Sequence, residues 1–230
     1  MEARSAAIRQ AAVSGLMLAV MMAAFFASAG QMDIPRAWAF FAATSIYLSA
    51  SVAALYRLSP ELLARRLQMR REGSKGWDEV LMRAVNLTAM LVVPGVAGLD
   101  VGRYRWSQLG VLHAGLGFAL FVVSSVLIVW AMVENPFFEP TVRIQEDRGH
   151  RVVSTGPYEV VRHPGYLSGI LWMSSIPLII GSLYAFLPVV LYCALMILRT
   201  QLEDRTLQDE LVGYADYAEK VRYKLFPGVW

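Results

Sequence analysis

The sequence predicts an all-α fold, a polytopic helical membrane protein with five or six membrane segments, a short cytoplasmic hairpin and a C-terminal cytoplasmic helix. Three observations support this. Of the 230 residues, 57% are hydrophobic and 17% charged, whereas soluble domains carry about 45–50% and about 25%. The apolar residues are gathered into runs long enough to cross a bilayer, which takes roughly 20 residues for about 30 Å of hydrocarbon. The positive charge is confined almost wholly to alternate connecting segments, as cytoplasmic loops require. No polar stretch is long enough to form a separate soluble domain.

Four runs meet the length directly: residues 11–29, 38–56, 80–99 and 109–133. In the first, Ala27-Ser28-Ala29 resembles a signal-peptide cleavage site, but the apolar run is longer than a signal core, so it reads as a retained span. The third carries Arg83, Asn86 and Pro94 and is the weakest of the four. A fifth apolar block, 166–198, is too long for one crossing and is punctuated by Pro177, Gly181, Ser182 and Pro188. It predicts two helices joined by a tight turn near Gly181 and Ser182. Within the linker 57–79, residues 59–71 mix Leu62, Leu63, Leu67 and Met69 with four arginines. That composition fits an interfacial amphipathic helix or a connector whose arginines snorkel. His113, alone in an apolar span, reads as a packed residue.

Six segments with both termini inside place 18 of the 21 Lys and Arg residues on the cytoplasmic side, with Arg36, Arg103 and Arg105 outside. The pI of about 9.1 therefore reflects topology and contact with anionic membrane lipids; no nucleic-acid partner is expected, and no obligate protein partner is evident. A single cysteine, Cys193, excludes a disulfide framework and a Cys-based zinc site, and His113, His150 and His163 lie far apart, so no metal is expected. Arginine outnumbers lysine 18 to 3 and alanine is abundant, which suggests a GC-rich bacterial source and hence an inner membrane.

Polar residues concentrate in 134–165 and 199–230. Residues 141–145 and 151–154 flank a turn-forming Glu146-Asp147-Arg148-Gly149, which predicts the cytoplasmic hairpin. Val161-Arg162-His163-Pro164-Gly165-Tyr166 then leads into the fifth segment, with Pro164 where a helix begins. Open backbone donors near His163 to Tyr166 at the positive helix end suit a carboxylate or other anion. Beyond the last span, Arg199 and Glu203 share a helix face, and Gly213 ends or bends that helix. Carboxylates directly continuing a membrane helix are costly unless paired or hydrated. Glu203 and Asp204 are thus candidates for holding a cationic ligand, beside the reading as a solvated helix end.

The ordered set Gly156-Pro157-Tyr158-x-x-Val161-Arg162-His163-Pro164-x-Tyr166-x-x-Gly169, Glu203-Asp204-x-x-Leu207, Gly213-Tyr214-x-x-Tyr217 and Phe226-Pro227-Gly228 follows Asn135-Pro136-Phe137-Phe138. Together these resemble the isoprenylcysteine carboxyl methyltransferase and phospholipid methyltransferase families over residues 134–230. The resemblance implies an integral membrane methyltransferase that uses S-adenosylmethionine without a Rossmann domain. The cofactor then sits in a cytosol-side pocket, and a lipophilic acceptor arrives sideways from the bilayer. The chain divides into N-terminal membrane helices, 1–133, and a cofactor-binding region, 134–230, containing the helical hairpin 166–198.

By position, Tyr158, His163, Pro164, Gly165, Tyr166 and Glu203 line the implied cofactor pocket, while Tyr214 and Tyr217 are either further pocket walls or an interfacial aromatic belt. Asp204 stands where the family usually has a second Glu, and its shorter side chain bears on whether it reaches the cofactor. For a carboxylate acceptor, Arg162 or Arg199 is the candidate to bind it; for an amine, His163 or Glu203 is the candidate base. A second reading is an NADPH-dependent membrane reductase of the sterol-reductase type, with Arg143, Arg148 and Arg151 as its 2′-phosphate site. A third is a non-catalytic membrane protein that keeps the scaffold.

Overall fold

The computed structural model describes residues 2–66 and 73–230. The helices are α1 (Glu2–Ala29), α2 (Pro35–Leu58), α3 (Pro60–Arg65), α4 (Gly76–Leu87), α5 (Val93–Gly98), α6 (Val111–Glu134), α7 (Pro164–Ile180), α8 (Phe186–Glu210) and α9 (Tyr214–Lys220). Among the described residues, five helices are long and apolar enough to cross a membrane: Ala3–Ala29, Pro35–Leu58, Gly76–Tyr104, Val111–Glu134 and Phe186–Glu210. The shorter apolar α7 makes the sixth segment. Leu16, Ile46, Leu112 and Val126 point outward, the pattern of helices surrounded by acyl chains rather than water. The chain is an all-α polytopic membrane protein.

The third span is continuous but not uniformly α-helical: Thr88–Val92 and Leu99–Tyr104 are π-helical and flank α5. Pro94 has no N–H to donate, and its ring would clash with the Met90 carbonyl four residues back, so the turn before it widens. α5 lies flush on α1. A Cβ on Gly98 would stand 2.3 Å from the Phe25 carbonyl oxygen, and one on Gly102 would stand 2.4 Å from Ala29 Cβ. α1 is thereby packed into the bundle.

The α7–α8 turn falls at Gly181, whose φ of 96° favours glycine, followed by the buried Ser182. This turn, the 30–34 loop and the 105–110 loop share the far end of the bundle, opposite both termini. There Arg36 donates to the carbonyls of Leu109, Gly110 and Leu178, and Arg103 to those of Ala27 and Ser28. His113 is exposed at this end rather than packed, because it lies in the first turn of α6.

Within this stretch α3 buries Leu62 and Leu63; Leu67, Met69, Arg70 and Arg71 lie outside the described residues. Residues 141–145 and 151–154 flank a 3-10 turn, Glu146–Arg148, closed by Gly149 at φ 60°. The chain reverses there as expected, yet no strand forms among the described residues. The reason is local. The Val142 N–H donates to Asp78 Oδ2 (2.9 Å) and its carbonyl accepts from the Lys75 N–H (3.0 Å), so the start of the third span takes those backbone groups.

Candidate active site

The chain approaches α7 through a 3-10 turn, Gly156–Glu159. Gly156 has a φ of 58°, and a Cβ there would lie 2.7 Å from Glu134 Cγ. The Arg162 and His163 N–H groups donate to the carbonyls of Tyr223 and Lys224, 2.9 Å each, which binds the C-terminal tail beneath the first turn of α7. Pro164 opens the helix, and the His163 carbonyl accepts from Tyr166 and Leu167 N–H, 3.1 Å each. Of the backbone donors expected to be open here, the Gly165 N–H is left among the described residues. Gly165 also lets Phe138 in close, since a Cβ would stand 2.5 Å from that ring.

Asp204 is fully buried and gathers most of the motif. Arg162 donates to both its oxygens (2.8 and 3.0 Å), the Tyr214 hydroxyl to Oδ1 (3.1 Å) and Gln208 to Oδ2 (2.8 Å). His163 Nε2 lies 3.1 Å from Oδ1, and Lys224 Nζ lies 3.4 Å from Oδ2. Arg162 Nη1 is spent as well, on the carbonyls of Val221 and Arg222 at 2.7 and 3.0 Å. Arg199 repeats the arrangement. It donates to Asp78 Oδ1 and Oδ2 (2.7 and 3.2 Å) and to the Pro140 carbonyl (2.8 Å), with its guanidinium 4.9 Å from the centre of the Tyr166 ring. Charges can be buried in this way because every one is paired and hydrogen-bonded.

Between these pairs lies a cavity of about 370 Å³. One end is polar and aromatic, walled by Tyr158, His163, Tyr166, Glu203, Tyr214 and Tyr217. The Tyr166 hydroxyl donates to Glu203, and its ring lies parallel to that of His163 with centroids 5.6 Å apart. The Tyr217 hydroxyl donates to the Tyr158 carbonyl (2.7 Å), and Asn135 Nδ2 donates to the Tyr158 hydroxyl (3.2 Å). Burial pushes the phenol pKa values of Tyr158, Tyr214 and Tyr217 up, so all three stay protonated. The other end is apolar and lies between helices, walled by Met82, Val85, Ala89, Met90, Met173 and Met196.

Every candidate of the methyltransferase reading lines this cavity except Asp204, which sits behind the wall; of the three arginines of the reductase reading, Arg143 and Arg151 line it and Arg148 does not. Arg162 and Arg199 line it too, Arg162 with all three guanidinium nitrogens and Arg199 with Nε and Nη2 bonded to protein partners. Sequence reasoning missed the wall residues Arg66, Gln145 and His150, and it missed Asp78 as the partner of Arg199. Burial, with Arg143 and Arg148 nearby, pushes the His150 pKa down to about 4. The neutral ring accepts from the Gln145 N–H at Nδ1 (3.3 Å) and lies 4.5 Å from the Phe137 ring. The run Asn135-Pro136-Phe137-Phe138 marked this segment in the sequence, but no spacing tied His150 to it.

Residues 116–209 match the model of the isoprenylcysteine carboxyl methyltransferase (ICMT) family. That segment is similar to the family. The match runs from α6 through most of α8, takes in the Arg-His-Pro turn, Tyr166, Glu203 and Asp204, and stops before Tyr214 and Tyr217. No match is found among curated proteins. The match covers less than half of the chain, and the family is one of membrane methyltransferases. The reductase reading is not favoured, since two of its three phosphate-site arginines are engaged: Arg143 by Glu139 and Asp147 (3.0 and 2.9 Å), and Arg148 by the Pro136 carbonyl and Gln145 Oε1 (2.8 and 2.9 Å).

Proposed function

We propose that the protein is an S-adenosylmethionine-dependent methyltransferase acting on a lipophilic acceptor at the cytosolic membrane face. The observation that carries this reading is the two-ended cavity inside an ICMT-family segment. Its polar end suits the cofactor. Glu203 accepts from Tyr166, and among the described residues no cation is hydrogen-bonded to it; such a carboxylate suits an ammonium group or ribose hydroxyls. The Gly165 N–H, at the positive end of α7, suits a ligand carboxylate, and the Tyr158 and Tyr217 rings offer faces for an adenine.

When bound, S-adenosylmethionine supplies the methyl group on a sulfonium centre. The protein's contribution is alignment of acceptor and donor and exclusion of water. Arg162 and Asp204 act as positioning residues, since they fix His163 and Tyr214 in the wall. The acceptor reaches the apolar end from the bilayer, past Met82, Asn86 and Met90 on one side and Ile128 on the other. The end bearing the site also bears both termini and most of the positive charge, which supports a cytosolic site by the positive-inside rule, in keeping with a bacterial inner membrane.

The test is thermal unfolding of the purified protein in detergent with S-adenosylmethionine, S-adenosylhomocysteine, NADPH or no ligand. A ligand at 100 times its Kd stabilises the fold by about 2.7 kcal/mol. The two adenosyl ligands should raise Tm and NADPH should not. Glu203→Gln should lose the shift while keeping its ligand-free Tm. Stabilisation by NADPH alone overturns the reading.

A further inference from the structure

Five tyrosines line the cavity, and the protein engages the hydroxyls of four. Tyr158 accepts from Asn135, Tyr166 donates to Glu203, Tyr214 to Asp204 and Tyr217 to the Tyr158 carbonyl. The fifth, Tyr192, is only 8% exposed, yet among the described residues its hydroxyl has no hydrogen-bond partner. It stands in the apolar end, in one cluster with Val85, Ala89, Met173 and Met196. Its oxygen lies over Gly169, where a Cβ would stand 3.0 Å away, so the glycine leaves the hydroxyl room. Two other polar groups in this end differ from it. Asn86 is exposed, and Trp172 Nε1, which also lacks an acceptor among the described residues, is sealed off from the cavity space. The Tyr192 hydroxyl is not sealed, so it is the buried side-chain donor of this end that a ligand can reach.

The helix sets the depth of this donor. Tyr192, Met196, Arg199 and Glu203 recur at spacings of four, three and four, so they share the face of α8 that borders the cavity. Tyr192 lies about 16 Å along the axis from Glu203, at about 1.5 Å per residue, inside the membrane-spanning length of α8. The bilayer core holds no water to serve it. A plain hydrocarbon chain along this wall leaves the phenol unsatisfied, which costs free energy, whereas a chain with a neutral oxygen at that depth removes the cost. We propose that Tyr192 is a specificity-determining residue, which donates to a carbonyl or ether oxygen within the hydrocarbon part of the acceptor and so selects oxygenated lipids over plain hydrocarbon chains. This rests on the methyltransferase reading of the cavity. The oxygen read by Tyr192 is distinct from the group that is methylated, because the two lie at opposite ends of the cavity.

The experiment uses the full chain in a neutral maltoside detergent with saturating S-adenosylhomocysteine. Tridecane, dihexyl ketone, methyl undecyl ketone and dihexyl ether, which have equal chain length and differ in the oxygen and its position, are titrated at matched micellar mole fraction with Tm as the readout. The wild type should bind at least one oxygenated probe about fivefold or more tighter than tridecane. Ketone against ether identifies the oxygen, and dihexyl against methyl undecyl ketone identifies its depth. Tyr192→Phe, which removes only the hydroxyl, should bring that probe to parity with tridecane and leave tridecane no weaker. Its ligand-free Tm should hold or rise, because no bond within the protein is lost. No preference in the wild type, a preference that survives in Tyr192→Phe, or a lower ligand-free Tm in that variant overturns the proposal. A missing S-adenosylhomocysteine shift in the wild type instead overturns the methyltransferase reading, so the two failures are distinct.

Discussion

At the far end of the bundle, Asp100 is fully buried and is satisfied by neutral donors. These are the Ser107 N–H and hydroxyl, the Ser182 hydroxyl and the Tyr184 N–H. At the end bearing the cavity, Asp204 is equally buried, yet it is held by Arg162, Lys224 and His163. The arginines divide in the same way. Arg36 and Arg103 spend their charge on carbonyls near the C-termini of α7 and α1, where a positive group complements the helix dipole. Arg162 and Arg199 instead cross between elements far apart in sequence, to Asp204 and Asp78. One end uses polar groups to close loops and helix ends; the other uses ion pairs to hold the walls of a cavity in register.

Asp204→Asn should produce the largest effect. It leaves Arg162 buried without its counter-ion, which costs about 3–5 kcal/mol, read as a lower Tm or denaturant midpoint in detergent. Adenosyl-ligand binding should fall with it, because His163 and Tyr214 lose their anchor. Asp100→Asn sharpens the contrast: it should cost about 1–3 kcal/mol and leave adenosyl-ligand affinity unchanged. Loss of ligand binding in Asp100→Asn would break the division between the two ends. The smallest effect is in pH dependence. The His150 pKa drops from 6.5 to about 4 on folding, so between those values the unfolded chain binds more protons. Stability attributable to His150 is then complete above about pH 6.5 and is lost as pH falls toward about 4. Tm measured across that window should fall on the acid side in the wild type and fall less in His150→Phe; His150 is partly exposed, so solvent screening keeps the difference small.

Much of the fold was legible because it rests on local properties. Hydropathy marked the six segments, and Gly181 with Ser182 marked the turn between α7 and α8. The short motifs marked the residues that meet around the cavity, since the Arg-His-Pro turn and the Glu203 helix each carry their own spacing. Pairings were not legible. Arg162 and Arg199 are the right residue type to bind an acceptor carboxylate, but the fold commits both to aspartates. Asp78 lies in a stretch that reads as a linker, although it is the partner of Arg199, 121 residues away. The ladder expected for the 141–154 hairpin is missing because Val142 bonds to Lys75 and Asp78, an exchange no spacing within 141–154 encodes.

By itself the sequence determined which segments cross the membrane, which end carries the positive charge and which motif residues stand near one another. Hydropathy, charge and short spacing act along the chain, so they can be read along it. Only the tertiary structure decided which arginines are paired with aspartates, Arg162 with Asp204 and Arg199 with Asp78. A buried charge is stable or costly according to the partner beside it, and the partners here come from distant parts of the chain.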